Sequence, residues 1–195
     1  MAYDPEKHHR RSIRLKGYDY ASPGAYFVTI CVQDRECVLG EVVNGYMQVT
    51  KYGQMAHDFW DEVPVHFPNV SVDAFVVMPN HVHAIIVIND VSQGGEGGVS
   101  DCGGAVTAPC AGDTTTIDRP TLGQIVAYYK HQTTKHINQM RDTPGTRFWQ
   151  RNYWEHIIRN EASYRRIYEY VEHNPALWEE DQLHPDAPPN PFNRG

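Results

Sequence analysis

The chain has 195 residues, of which 41% are apolar and 21% charged, a composition that supports one packed domain and excludes global disorder. Apolar runs stop at five residues, as in Ala84 to Ile88, against the ~20 that a membrane span needs. The N-terminus lacks the apolar stretch of a secretory signal, so a cytoplasmic location with no membrane partner is expected. The net charge of −7 argues against nucleic acid only as an average. Residues 1–16 carry five Lys/Arg against two acids, and residues 119–166 carry nine against three. A phosphate-binding surface requires such local basic patches, and a solvated basic face fits the same counts.

In chain order, residues 1–20 read as a polar, basic arm. Gly24 to Val32 reads as a strand, rich in β-branched and aromatic residues. Asn44-Gly45 marks a hairpin turn between Val42-Val43 and Tyr46 to Val49. Tyr52, Met55, Ala56, Phe59 and Trp60 fall at helical spacing over Lys51 to Glu62, with Pro64 and Pro68 ending that helix. Ser71 to Met78 and His81 to Ile88 read as an antiparallel hairpin around Pro79-Asn80. The second of these strands is apolar on both faces and therefore central. Residues 91–118 hold seven glycines, four threonines and no aromatics, the composition of a flexible insertion. Thr121 to Met140 reads as a helix capped by Thr121, Pro144-Gly145 as a turn, and Tyr153 to Ile158 as a strand. Asn160 caps a last helix, Glu161 to about His173. Residues 179–195 form an acidic, Pro-rich tail beyond a single domain over 1–178. This pattern predicts an α+β fold, an antiparallel sheet with helices on one face. Of the cysteines, Cys31, Cys37, Cys102 and Cys110, none forms a Cys-x-x-Cys pair, so a structural zinc site is not expected. Cys31 and Cys37 flank a strand end and read as core or near-core thiols.

His81-Val82-His83 is the sharpest chemical feature. Side chains alternate along a strand, so both imidazoles share one face with Cα atoms roughly 7 Å apart. They can share a metal ion or a phosphate, or be two histidines hydrogen-bonded at a strand start. On the last helix Tyr170 and Asn174 are four apart and share a face. A tyrosine phenol can act as a covalent nucleophile, and an amide oxygen one turn on can supply a third metal ligand. Arg165 and Arg166 can hold phosphates. A core aromatic helix with a charged outer face accounts for the same residues. Trp149, Tyr153 and Trp154, interleaved with Arg147 and Arg151, can stack on unpaired bases or belong to the core.

Met78 to His83, Phe148 to Arg159 and Tyr170-x-x-x-Asn174-Pro175, together with Arg10 to Tyr20 and the strand from Ala25, resemble the REP-associated tyrosine transposases. These are relatives of the single-tyrosine HUH insertion-sequence transposases. The resemblance covers residues 10–89 and 119–178, and stops at the 91–118 insertion and the acidic tail. It implies a ferredoxin-like or RRM-like antiparallel sheet with helices packed on it. It implies that His81, His83 and Asn174 hold a divalent metal, Mg²⁺ or Mn²⁺, and that Tyr170 is the nucleophile. It implies cleavage and rejoining of single-stranded DNA carrying a hairpin, through a 5′-phosphotyrosine intermediate, by a monomer or homodimer. Arg10, Arg11, Arg14, Lys16, Arg151, Arg165 and Arg166 are the expected DNA contacts, and His156 reads as structural. A nucleic-acid binding module without catalysis, and a metal-dependent phosphodiester hydrolase, are the alternatives.

Overall fold

The protein is described as a computed structural model covering residues 14–90 and 119–188. Arg10, Arg11, Cys102, Cys110 and the 91–118 insertion lie outside the described residues. Strands β1 (Gly24–Cys31), β4 (Val70–Val77), β5 (His81–Ile88) and β6 (Trp154–Ile158) form one antiparallel sheet in the order β4-β5-β1-β6. Helix α1 (Lys51–His66) joins β1 to β4, and α2 (Leu122–Arg141) joins β5 to β6. This βαββαβ order with both crossovers on one side is the ferredoxin-like arrangement. A small hairpin, β2 (Gly40–Val43) and β3 (Tyr46–Val49), is inserted before α1. Its turn is Asn44-Gly45, both at positive φ (52° and 78°), as a two-residue hairpin turn requires.

Alternation along the central strands sorts the sheet into two faces. Tyr26, Val28 and Ile30 of β1 and Val82, Ala84, Ile86 and Ile88 of β5 face α1 and α2 in the main core. Trp60 and Tyr129 lock the two helices together at 4.7 Å between ring centroids, and the Tyr129 hydroxyl donates to the Ala56 carbonyl (3.0 Å). Thr121 caps α2 with a reciprocal bond to Gln124. The other face carries Phe27, Ile85 and Ile158, and α3 (Glu161–His173) covers it through Val171, Tyr164 and Ile167. The helices are therefore not all on one face, as the sequence pattern suggested. The α3 stripe of Tyr164, Ile167 and Val171 needs an apolar surface, and α1 and α2 already cover the first.

Two further expectations are corrected. Helix α1 runs through Pro64 to His66. A proline in the last turn forfeits only one ladder bond, and the Phe67 amide still closes on Val63 O at 2.9 Å. Cys37 is exposed, whereas Cys31 is half-buried and burial pushes its thiol up to about 11.

Gly53 lets α1 approach the loop before β2, which in turn bonds the Pro79 carbonyl through Leu39 N–H (3.0 Å). A Cβ at Gly53 would lie 2.1 Å from Leu39 O. Gly53→Ala should therefore cost about 1–3 kcal/mol through forced backbone movement, read as a lower urea midpoint with unchanged slope. An unchanged midpoint would contradict that close approach.

Candidate metal and nucleophile site

The second face becomes polar toward the start of β5. There the apolar row Ile85 and Val87 gives way to His83 and His81, both buried. Their Nε2 atoms face each other at 3.0 Å. Each ring is held from behind. The Asn80 amide donates to Leu183 O (2.8 Å) and Arg35 O (3.4 Å), which leaves its Oδ1 to accept from His81 Nδ1 at 2.8 Å. A neutral His81 with its proton on Nδ1 presents a lone pair on Nε2. The Thr29 hydroxyl lies 2.9 Å from His83 Nδ1, where it accepts from an Nδ1–H or donates to a bare Nδ1. Burial, the largest cause, holds His83 down to about 3, and burial with the neighbouring His83 and Arg35 holds His81 well below the ordinary range. Both rings are therefore neutral, the form that ligates metals. With both Nε2 atoms bare, their lone pairs converge and suit a cation between them; with the proton on His83 Nε2, the same 3.0 Å contact is a hydrogen bond to His81 Nε2.

Asp181 completes a possible donor set. One nitrogen from each histidine and one Asp181 oxygen lie within 4.8 Å of one another, and no other group of three His, Cys, Asp or Glu among the described residues could hold a metal ion. Asp181 comes from the segment after a short 3-10 stretch, Asn174–Glu180, and accepts from its own Leu183 amide at 2.6 Å. Chain beyond residue 178 is thus pinned to the turn before β5 by Asn80.

Tyr170, near the end of α3, places its hydroxyl 3.2 Å from His83 Nε2. Burial and the Asp181 charge raise its phenol to about 12, while a hydrogen bond from Asn174 acts in the opposite direction. Asn174 is buried, and its Oδ1 has no hydrogen-bond partner among the described residues. An orphaned acceptor costs about 1–3 kcal/mol, and its oxygen chemistry suits a hard divalent cation. The donors present therefore fit a metal.

The basic residues separate. Arg14 lies against the Tyr20 and Tyr153 rings, donates to the Tyr153 hydroxyl (2.7 Å) and faces Glu155 at 3.7 Å. Arg165 pairs with Glu161 at 2.9 Å. Lys16, Arg151 and Arg166 are exposed. Sequence reasoning missed Asp181, Asn80 and Thr29 as parts of the site. Asn80 adjoins the histidine pair in the chain, but the role of Thr29 emerges only from the register Thr29↔His83.

Mn²⁺ titrated by calorimetry should bind the wild-type protein and fail to bind His83→Ala. Asn80→Ala, which frees the His81 ring, should weaken binding about 10- to 100-fold. Wild-type affinity in that variant would remove Asn80 from the site.

No family model matches the chain. The chain is 42% identical over 188 residues to an uncharacterized protein of Haemophilus influenzae, covering 94% of this chain and 98% of that one. It is 24% identical over 185 residues to a second protein of Haemophilus influenzae, provisionally named a REP-associated tyrosine transposase, covering 90% and 84% of the two chains. A solved REP-associated tyrosine transposase bound to a REP hairpin shares the fold, with a TM-score of 0.56, 20% identity, and coverage of 89% of this chain and 77% of that one. The chain belongs to one family with the uncharacterized Haemophilus influenzae protein, and it is a distant relative of the REP-associated tyrosine transposases.

Proposed function

We propose that this protein is a transposase-type nuclease and ligase of single-stranded DNA, with Tyr170 as nucleophile beside a divalent metal on His81 and His83. The observation that carries this reading is the Tyr170 hydroxyl at 3.2 Å from His83 Nε2, itself 3.0 Å from His81 Nε2. A phenol, two neutral imidazoles and a carboxylate lie together there, and Asn174, whose buried Oδ1 has no partner among the described residues, bonds the same phenol. The transposase name of the distant relative, and the REP hairpin bound by the similar structure, support hairpin-bearing DNA as the substrate.

His81, His83, Asp181 and Asn174 would hold the cation, of which Mg²⁺ and Mn²⁺ suit the oxygen donors and the chemistry. When bound, the cation supplies charge that polarises the scissile phosphate. Tyr170 Oη attacks phosphorus, and the bond from phosphorus to the upstream 3′ oxygen breaks. The phenolic proton ends on that oxygen, which leaves as a 3′-hydroxyl. A 5′-phosphotyrosine remains, and attack by a 3′-hydroxyl reverses the step without a nucleotide cofactor. A phenol at about 12 is protonated at neutral pH. The Asn174 amide counters part of that cost by donating to the oxygen that must become anionic. The reaction fits a cytoplasmic protein acting on transiently single-stranded DNA.

The test is a labelled hairpin oligonucleotide incubated with protein and Mn²⁺, followed by denaturing electrophoresis. The wild type should give an adduct stable in SDS, and Tyr170→Phe should give none. An adduct that persists in Tyr170→Phe would end this reading, and metal-dependent turnover of a small phosphodiester without any adduct would favour a hydrolase. Asp181→Asn should slow adduct formation by about tenfold or more at limiting Mn²⁺ and recover at high Mn²⁺. A rate insensitive to that change would exclude Asp181 as a ligand.

A further inference from the structure

Three aromatic residues of the segment before and within β6 were candidates for stacking on bases, and the structure disposes of two. Trp149 is buried in the main core, where its indole N–H donates to Thr133 Oγ1 at 2.7 Å. Tyr153 packs against the same core and accepts from Arg14. Trp154 alone stays 49% exposed. Strand β6 is the sheet edge, and its register places Trp154 opposite Thr29 and His156 opposite Phe27. Trp154 and His156 therefore project on the face that carries His83.

Their rings are parallel to within 6°, with centroids 6.2 Å apart. Phe27 connects them to the site, with its ring 5.6 Å from Trp154, 5.2 Å from His83 and 6.0 Å from Tyr170. Helix α3 packs chiefly on β4 and β5, which leaves the β6 side of this face open. Beyond His156 the open face runs into a cleft of about 540 Å³, lined among others by Tyr20, Arg159, Ser163 and Arg166. Neither Arg159 nor Arg166 forms an ion pair among the described residues.

A row of aromatic faces leading away from a nucleophile, and ending at two guanidinium groups, matches unpaired nucleotides. Every base offers a π-face to stack, and each following phosphate offers a charge. Paired bases in a duplex have their faces covered and do not fit. We infer that Trp154 and His156 form a stacking shelf for an unpaired base beside the cleaved phosphate, with Arg159 and Arg166 holding the next phosphate. This inference rests on the proposed DNA-processing role, and it gives His156 a binding function in place of the structural one read from the sequence.

Binding is measured by fluorescence anisotropy in the Tyr170→Phe background, so that cleavage does not intervene. The probes are a hairpin with a single-stranded flank and the same hairpin with abasic sites in that flank. Trp154→Ala should weaken the intact flank about 5- to 150-fold, the range for one stacked base. Trp154→Phe should retain most of the affinity, and Trp154→Ala should cause no further loss on the abasic flank. Unchanged affinity of Trp154→Ala for the intact flank, or an equal loss on both probes, would overturn the shelf. The two readings fail separately. An adduct at Tyr170 with unchanged Trp154→Ala binding removes only the shelf. Selective loss of flank binding, with no adduct from a protein that carries Tyr170, retains the shelf and removes the catalytic reading.

Discussion

Two imidazole nitrogens held 3.0 Å apart in a buried site set the terms for everything around them. Desolvation excludes charging both rings, and the Asn80 oxygen on His81 Nδ1 turns the Nε2 lone pair of that ring toward His83. Such a pair has the donor chemistry of a metal seat. It also explains why neutral hydrogen-bonding groups, Thr29 and Asn80, stand behind the rings rather than carboxylates. Neutral partners hold the rings without adding a further buried charge.

The fold exists around that pair in a specific sense. β5 is buried along almost its whole length, so His81 and His83 cannot swing out to solvent. β1 supplies Thr29 from the register opposite His83, and Phe27 packs its ring 5.2 Å from that of His83. α3 crosses the same face and delivers Tyr170 at its C-terminal end, where the helix gives way to Asn174 and then to Asp181. The Asn80 amide ties Leu183 to the turn before β5, so one side chain orients a histidine and anchors the segment bearing Asp181. Loosening of that anchor would affect the carboxylate and His81 together.

Much of this was legible in the chain. The unbroken apolar character of β5, the Asn44-Gly45 turn and the Asn160 cap are local signals, and each appears where its pattern places it. The shared face of His81 and His83 follows from strand alternation alone. What the chain did not show depends on distant pairing. Thr29 is one threonine in a strand until the β1–β5 register sets it against His83. Asp181 sits in an acidic stretch with no spacing relation to the histidines. Arg14 looked like a free phosphate contact, and only the tertiary structure shows it lying between tyrosine rings. The placement of α3 on the second face was likewise beyond local periodicity, which reports an apolar stripe and not its partner.

The central claim is that the two histidines and Asp181 form one cation site next to Tyr170. Anomalous diffraction from Mn²⁺-loaded crystals tests it most directly. A single strong peak within coordination distance of His81 Nε2, His83 Nε2 and an Asp181 oxygen is the result this account requires. Mn²⁺ absent from that position, or bound only elsewhere on the protein, would contradict it.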